Sequence, residues 1–508
     1  MAYRSLSEFL DRAERAGELV RIREPVDLKL DMAALADRAA KQGGPVLLFE
    51  RPSSGRFPVA MNLFGTRRRT SWALSCDDFE AHAESLRALL HTAPPKTLWE
   101  KLKLLPTLGR LATLAPKRVG SGACQDVVLR GAQADLGLLP VLTTWPHDGG
   151  PFITLPQVVT RDPETGIRNV GMYRLQVLGP RRLAMHWQLH KTATAHYREY
   201  RRRGERMPVA IALGGDPALT YCASAPLPPD VDEYLFAGFL RGEGVRLVEG
   251  VSCGLDVPAD ADIVIEGFVD TSAPLVREGP FGDHTGFYSL ADDYPALEVT
   301  AITHRRDAVY PATVVGPPPV EDQWLGKATE RLFLPMLQLV FPEIVDCCMP
   351  VEGVFHNLCL LSIRKEHPGQ ARKVIHGLWG SGQMAQTKTL VVFDADVDVQ
   401  DVRQAAWRAF ANVDVRRDLV VADGPVDVLD HASAHFAYGG KIGVDATRKW
   451  IEEGGREWPE VCVHPPEVLA RADALYDRLV AGATPLARPR IAPPPAAAWT
   501  PRRGGTLQ

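Results

Sequence analysis

Hydrophobic positions change their spacing twice along the chain, and those changes divide it. Residues 5–17 carry Leu6, Phe9, Leu10 and Ala13 at helical spacing, with Ser5 placed to cap the start and Gly17 to end it. A second helix is predicted over 31–42, stopped by Gly43-Gly44-Pro45, and the apolar run 46–49 reads as a strand. This opening is a small α/β pattern. Pro94, Pro95, Pro106 and Pro116 punctuate the next stretch and put a boundary near residue 120.

From about 125 to 315 strand-like runs take over, at 127–129, 153–160, 170–177, 183–189, 209–213, 245–248, 263–268 and 297–303. Turns such as Asp162-Pro163-Glu164-Thr165-Gly166 and Gly214-Gly215-Asp216-Pro217 separate them. One helix interrupts over 232–241, with Asp230 or Asp232 as its cap. Many short strands with few helices predict a barrel or a sandwich. After Gly316-Pro317-Pro318-Pro319 helices and strands alternate: helix 328–340 around Pro335, strand 357–363, helix 370–379, strand 389–393, helix 401–410 and strand 418–421. That alternation predicts an α/β layer. A helix over 466–481 is expected to pack on its own or on a partner subunit, and the Pro/Ala/Arg-rich tail from 485 is expected to be disordered. The expected divisions are 1–120, 121–316, 317–465 and 466–508.

Composition narrows the classes. At 508 residues the chain exceeds the ~250–300 at which one core stops growing. Lys and Arg total 58 against 62 Asp and Glu, without the basic excess of a nucleic-acid binder. The cluster Arg198, Arg201, Arg202, Arg203 and Arg206 reads as a solvated face. No cysteine pair has C-x-x-C spacing, so reduced buried thiols are expected, with Cys347-Cys348 in a helix-to-strand connection. Arg4, Glu8, Asp11 and Arg12 break up any signal-like apolar run, and no apolar stretch reaches the ~18 residues of a membrane span. A cytosolic protein is expected.

Two segments of the middle region could carry chemistry. One is Arg277-Glu278-Gly279-Pro280-Phe281-Gly282-Asp283-His284-Thr285-Gly286, two carboxylates five residues apart in a glycine-rich loop. Such a loop lets backbone approach a ligand, and paired carboxylates beside an Arg can act as acid and base; a tight surface turn with solvated side chains is the alternative. The other is Arg168-Asn169-Val170-Gly171-Met172-Tyr173-Arg174 followed by Met185-His186-Trp187-Gln188-Leu189-His190-Lys191. On a regular strand His186, Gln188 and His190 would share one face, whereas Asn169 and Arg174 would point to opposite faces. Those two can serve one site if a bulge or strand end intervenes, or if the ligand wraps the strand. Asp394, Asp396 and Asp398 read as caps and turns rather than a metal site. Gly439-Gly440-Lys441-Ile442-Gly443 lacks P-loop spacing, and Gly242-Glu243-Gly244 lacks the third glycine of a dinucleotide fingerprint.

Together these segments resemble the UbiD decarboxylase family, from Leu6-Ser7-Glu8-Phe9-Leu10 to Gly443-Val444-Asp445-Ala446-Thr447. The resemblance implies a multidomain α+β fold, with a central split β-barrel of the FMN-binding kind flanked by N-terminal and C-terminal α/β domains. It implies prenylated FMN as cofactor, made by a flavin prenyltransferase, and Mn2+ or Mg2+ held by Asn169, His190 and Glu233, with K+ as a further ion. Arg174, Glu278 and Asp283 correspond to the catalytic trio, the Asp being the form found in hydroxyarene-type members. Met172, Tyr173, Arg174, His186, Trp187, Gln188, Lys191 and Thr192 are expected to line the flavin, with Ser224 on the phosphate side and Lys441 as a candidate from the C-terminal region.

The implied reaction removes CO2 from an aromatic acid, with Arg174 orienting the carboxylate, Asp283 donating the proton and Glu278 tuning Arg174. Met185-His186-Trp187-Gln188-Leu189-His190-Lys191, the stretch from Asp232-Glu233-Tyr234 onward, and Leu429-Asp430-His431-Ala432-Ser433 resemble the menaquinone-biosynthesis decarboxylases. That points to a dihydroxynaphthoate, free or prenylated; a polyprenyl 4-hydroxybenzoate or a simple hydroxybenzoate is the alternative. A prenylated substrate would bring the enzyme to the membrane surface. A homo-oligomer is expected. Two other classes stay open: a flavin-binding accessory subunit, against which the intact trio counts, and an FMN oxidoreductase, against which the missing nicotinamide fingerprint counts.

Overall fold

A computed structural model describes residues 2–90, 112–228, 230–454 and 456–480. Pro94, Pro95, Pro106 and the tail from 485 lie outside them. The chain forms two units, Met1–Met336 and Leu337–Gln508.

The first unit opens with the helix Leu6–Arg15, whose cap Ser5 accepts from the Glu8 amide and whose stripe Leu6, Phe9, Leu10 and Ala13 is buried. Beside it a four-stranded sheet runs in the order Leu19–Ile22, Val46–Phe49, Val59–Met61 and Tyr310–Ala312. Its last strand comes from far along the chain and pairs parallel with Val59–Met61.

The main sheet has nine strands. Its path is Phe152–Ile153, Leu175–Gly179, Arg182–Met185, Ala296–His304, Ile263–Val269, Met207–Leu213, Gln157–Arg161 and Arg168–Gly171, with Val127–Arg130 also on Ala296–His304. Connectivity forces this sheet to curl. Phe152–Ile153 at one end is followed after three residues by Gln157–Arg161 near the other, and Arg168–Gly171 returns after Met172, Tyr173 and Arg174 to Leu175–Gly179. Three residues reach at most about 15 Å between the flanking Cα atoms, so the two ends of the sheet must approach each other. The result is a split barrel, and residues 172–174 bridge the split. Ile211, Leu213, Ile263, Ile265, Leu297 and Ile302 fill its interior. A register shift at Glu266/Gly267 bends the longest pairing; there a Cβ on residue 267 would lie 2.2 Å from the Glu298 carbonyl oxygen, so glycine is required.

The second unit holds a five-stranded sheet in the order Ile344–Cys348, Leu358–Ile363, Thr389–Asp394, Tyr438–Asp445 and Leu419–Pro425. The helices Gln370–Trp379 and Val402–Asn412 alternate with it. The helix Pro466–Val480 comes last.

Several expectations need correction. The run 170–177 is two strands broken at 172–174, and the run 183–189 stops at Met185, so His186, Gln188 and His190 do not share a strand face. Cys347 and Cys348 lie within a strand rather than a connection. Arg198, Arg201, Arg202, Arg203 and Arg206 are exposed, as a solvated face requires, and the first four lie on an unexpected helix, Thr192–Arg203, whose buried stripe is Ala193, His196, Tyr197 and Tyr200. The cysteines are thiols, all but Cys76 and Cys462 buried. Among the described residues no helix is long and apolar enough to cross a membrane.

Candidate active site

Arg174 sits at the split of the barrel, and both carboxylates of the glycine-rich loop converge on it. Its Nε donates to Glu278 Oε1 at 2.8 Å and its Nη2 to Glu278 Oε2 at 3.2 Å. Nη1 donates to Asp283 Oδ2, and Nη2 also reaches Ser289 Oγ at 2.9 Å. The guanidinium plane lies over the Phe281 ring, 4.7 Å from its centroid. The strand end at Gly171 frees residue 174 from the alternation of Arg168–Gly171, so Asn169 and Arg174 can both be used in one region.

His186 joins the cluster. Its Nδ1 lies 3.1 Å from Glu278 Oε2, and its ring packs 4.6 Å from that of Tyr294. The Glu278 side chain has no exposed surface. Burial pushes its pKa up, but the His186 and Arg174 hydrogen bonds outweigh burial and hold it below the usual carboxylate range. Asp283 behaves alike: burial opposes ionisation, yet His284 and Arg174 hold its carboxyl well below that range. His186 is pushed down, by burial first and by the neighbouring Arg174 charge second. The cluster is therefore one guanidinium, two carboxylates and a neutral imidazole.

The loop is held by residues that lie far away in sequence. Asp148 Oδ1 accepts from the Gly282 amide at 2.8 Å, while its Oδ2 accepts from the Thr144 and Trp145 amides. Gln176 accepts from the Gly279 amide and donates to the Gly149 carbonyl, both at 2.8 Å. Trp145 fits between two glycines: a Cβ on Gly282 would lie 2.1 Å from Trp145 Cδ1, and one on Gly316 2.4 Å from Cζ2. Sequence reasoning named none of Trp145, Asp148, Gln176, Ser289 or Tyr294 as site residues. Only the glycines at 279 and 282 hinted at a tightly packed loop.

The residues expected to hold the metal lie on the strand that leads into the 172–174 bridge, on the helix bonded to it and in the turn at residue 190. The Val170 amide donates to Glu233 Oε2 at 3.0 Å, and Arg168 pairs with Asp232, so the segment around Asn169 is bound to the start of the helix Glu233–Arg241. Asp232, not Asp230, caps that helix. Asn169 is buried beside Tyr173, its Nδ2 3.4 Å from the phenol oxygen. Burial raises Glu233 to about 7, with its own amide, the Val170 amide and Arg168 opposing and Asp232 adding to the rise. Such a carboxylate, next to an amide side chain and with no cationic side chain bonded to it among the described residues, fits an oxygen-preferring divalent ion. His190 is exposed, in the turn before the helix Thr192–Arg203, and no contact among the described residues ties it to Asn169 or Glu233.

The same helix suits a phosphate. Its cap residue Lys191 makes no side-chain capping bond, and Lys191 and Thr192 are exposed at an N-terminus whose first amides can donate to an anion. The Met172 amide donates to the Ala223 carbonyl at 2.7 Å, which places the exposed Ser224 beside the 172–174 bridge. Trp187 is buried and its Nε1 has no acceptor among the described residues. Gln188 Nε2 lies 3.5 Å from His186 Nε2. These residues fit a phosphorylated, hydrogen-bonding cofactor.

Lys441 belongs to the second unit, on the strand Tyr438–Asp445. It is buried, donates to the Ala385 carbonyl and lies 5.3 Å from the Trp379 ring centroid; burial lowers it to about 8. Asp394 accepts from the Arg448 amide, Asp396 pairs with Arg408 and Arg448, and Asp398 accepts from the Gln400 amide, all structural roles. Among the described residues no group of three or more His, Cys, Asp or Glu is placed to hold a metal.

Known proteins match this architecture along nearly its whole length. Three family models match: the 3-octaprenyl-4-hydroxybenzoate carboxy-lyase N-terminal domain at 10–89, its Rift-related domain at 117–318 and its C-terminal domain at 323–446. An uncharacterized protein of Aquifex aeolicus is 50% identical over 94% of this chain and 99% of its own. Vanillic acid decarboxylase of Sedimentibacter hydroxybenzoicus, in a closed form, is 25% identical with a TM-score of 0.81, covering 94% of this chain and 99% of that one. An evolved dimeric form of the UbiD-class enzyme HmfF from Pelotomaculum thermopropionicum, in complex with prFMN, is 28% identical with a TM-score of 0.76, covering 93% and 100%. With three consecutive domain models matched and the curled sheet in common, the chain belongs to the UbiD family of carboxy-lyases and is a decarboxylase of aromatic acids.

Proposed function

We propose that this enzyme is a prenylated-FMN-dependent, non-oxidative decarboxylase, with Arg174, Glu278 and Asp283 as its catalytic residues. The observation that carries the reading is the guanidinium of Arg174 bound to two buried carboxylates at the split of the barrel. Loss of CO2 from an aromatic carbon leaves electrons that no side chain can accept; the flavin supplies that electron sink when bound. Asn169, Glu233 and, from the adjoining turn, His190 would hold a divalent ion beside the flavin phosphate. The phosphate itself would take the N-terminus of the helix Thr192–Arg203, with Met172, Tyr173, Trp187, Gln188 and Ser224 around the rest.

Arg174 binds the substrate carboxylate. Its outer nitrogens are taken by Asp283 and Ser289 in the resting protein, so the incoming carboxylate competes with Asp283. Released from the guanidinium but still buried, the Asp283 carboxyl rises in pKa and takes a proton, which makes it the acid. Glu278 stays ionised, because His186 continues to hold it, and keeps Arg174 in place. After CO2 leaves, Asp283 gives its proton to the carbon that carried the carboxylate.

The substrate is a dihydroxynaphthoate, free or prenylated, on the strength of the motifs around His186, Asp232 and Leu429; hydroxybenzoates are the second reading. A flavin prenyltransferase supplies the cofactor, and the enzyme works in the cytosol as a homo-oligomer. Anaerobic co-expression with a flavin prenyltransferase, followed by CO2 release from a panel of naphthoates and hydroxybenzoates, tests the proposal. Turnover confined to protein carrying prenylated FMN is expected. Bound flavin with no turnover on any acid would favour an accessory subunit.

A further inference from the structure

Asp283 must regain a proton in every cycle, and its surroundings limit how. Its side chain is 12% exposed and both oxygens are engaged. Oδ2 is held by the Arg174 guanidinium. Oδ1 accepts from the His284 amide at 2.8 Å and lies 3.0 Å from His284 Nδ1. His284 itself is more open, with 22% of its side chain exposed, so its ring borders both the buried carboxylate and solvent.

A second acid acts on this pair. Asp322, half-buried in the first turn of the helix Asp322–Val340, interacts electrostatically with both His284 and Asp283. Glu321 beside it is committed elsewhere, to the Phe64 amide and the Thr313 hydroxyl. Among the described residues, the charged groups that act on the imidazole include Asp283, with Arg174 behind it, and Asp322, with Glu321 behind it. Burial raises Asp322 to about 7, so it can exist in either protonation state near neutrality.

We propose that His284 is the proton relay that recharges Asp283. A proton arriving from solvent or from Asp322 binds Nε2, the imidazolium passes the Nδ1 proton to Asp283 Oδ1, and Asp283 delivers it to the substrate carbon. Over one cycle a carboxylate and one proton become CO2 and a C–H bond, with nothing oxidised or reduced. His284 touches neither substrate nor cofactor; it acts through Asp283. The inference rests on the reading of Asp283 as the acid.

The test uses flavin-loaded enzyme and the acid of the panel with the fastest CO2 release. In His284→Gln, kcat is expected to fall, by up to about 10²-fold at the low end of what positioned proton transfer contributes. KM and flavin absorbance should stay close to wild type. His284→Ala, whose vacated space admits imidazole, is measured in parallel, and added imidazole should restore its kcat in proportion to concentration. Wild-type kcat in both variants, or a loss in His284→Ala that imidazole does not rescue, would overturn the relay. Asp283→Asn run alongside keeps the two readings apart. An inactive Asp283→Asn with unaffected His284 variants sinks only the relay, whereas wild-type turnover in Asp283→Asn sinks the acid assignment itself.

Discussion

A single guanidinium bound to two carboxylates makes residue 174 the point where, in the proposed mechanism, binding and proton supply meet. That mechanism has Asp283 ionised in the resting protein and protonated once substrate holds Arg174, so that binding takes up a proton. Accordingly, kcat/KM falls as pH rises above neutrality, towards tenfold per pH unit for one proton. A rate profile flat or rising over that range would contradict the exchange. Asp283→Asn should lower kcat by about 10²–10⁴ while flavin stays bound, because the lost step is proton transfer. Glu233→Gln acts elsewhere. It should lose metal and, with it, flavin retention, as should chelation of the wild type, and Mn2+ should restore flavin retention only in the chelated wild type. Flavin retained by metal-stripped protein would remove Asn169, His190 and Glu233 from the cofactor site. At this scale the sequence was legible where a motif fixed local chemistry: Glu278 and Asp283 stand in one loop, and the resemblance joined them to Arg174. It was silent where a partner came from far away. No local signal marks the contact of His186 Nδ1 with Glu278. Asp148 and Gln176 have no local feature that marks them as the anchors of the loop.

Elements rather than single groups decide how firmly the loop is held. Gly282 faces the Trp145 ring so closely that any Cβ displaces it. Gly282→Ala should destabilise by about 1–3 kcal/mol, as overpacking does, and reduce turnover by moving Asp283; an unchanged melting temperature would show that the ring can yield. The helix Asp322–Val340 supplies a pH signature. Burial raises Asp322 to about 7 in the folded chain, against 3.8 ordinarily, so the folded state binds the extra proton between those values. Stability from this group is present at low pH and is lost as pH rises towards 7. Asp322→Asn should therefore raise the melting temperature at pH 7 relative to wild type, but not near pH 4. Equal shifts at both values would mean the effect is not ionisation. Element boundaries were legible where periodicity was clean, as in Leu6–Arg15, Gln370–Trp379 and Met207–Leu213. In the helix Thr192–Arg203 the arginines obscure the helical signal of the stripe at 193, 196, 197 and 200, two of whose members are a histidine and an alanine rather than large apolar residues. The strand Tyr438–Asp445 was hidden by its glycines; Gly443 is small because a Cβ would come 2.5 Å from Ile375.

For the molecule as a whole, the fold class was accessible because many short strands between two helix-rich stretches leave few arrangements, and the resemblance selected the split barrel. What the pattern could not show is how that sheet places its site. The two ends of the sheet meet because two three-residue links join strands at opposite ends of its order, and one link carries Arg174. Spacing within a strand cannot reveal a sheet order that only long-range pairing defines. The proposed function rests on that placement: a buried cation at the barrel split, paired with two carboxylates of one loop. The most direct test is a turnover in D2O under anaerobic conditions, with flavin-loaded enzyme and no nicotinamide or other redox partner. The account predicts CO2 and product in equal amounts, with one deuterium on the carbon that carried the carboxylate. CO2 release that requires an oxidant, or a product without deuterium at that carbon, would contradict it.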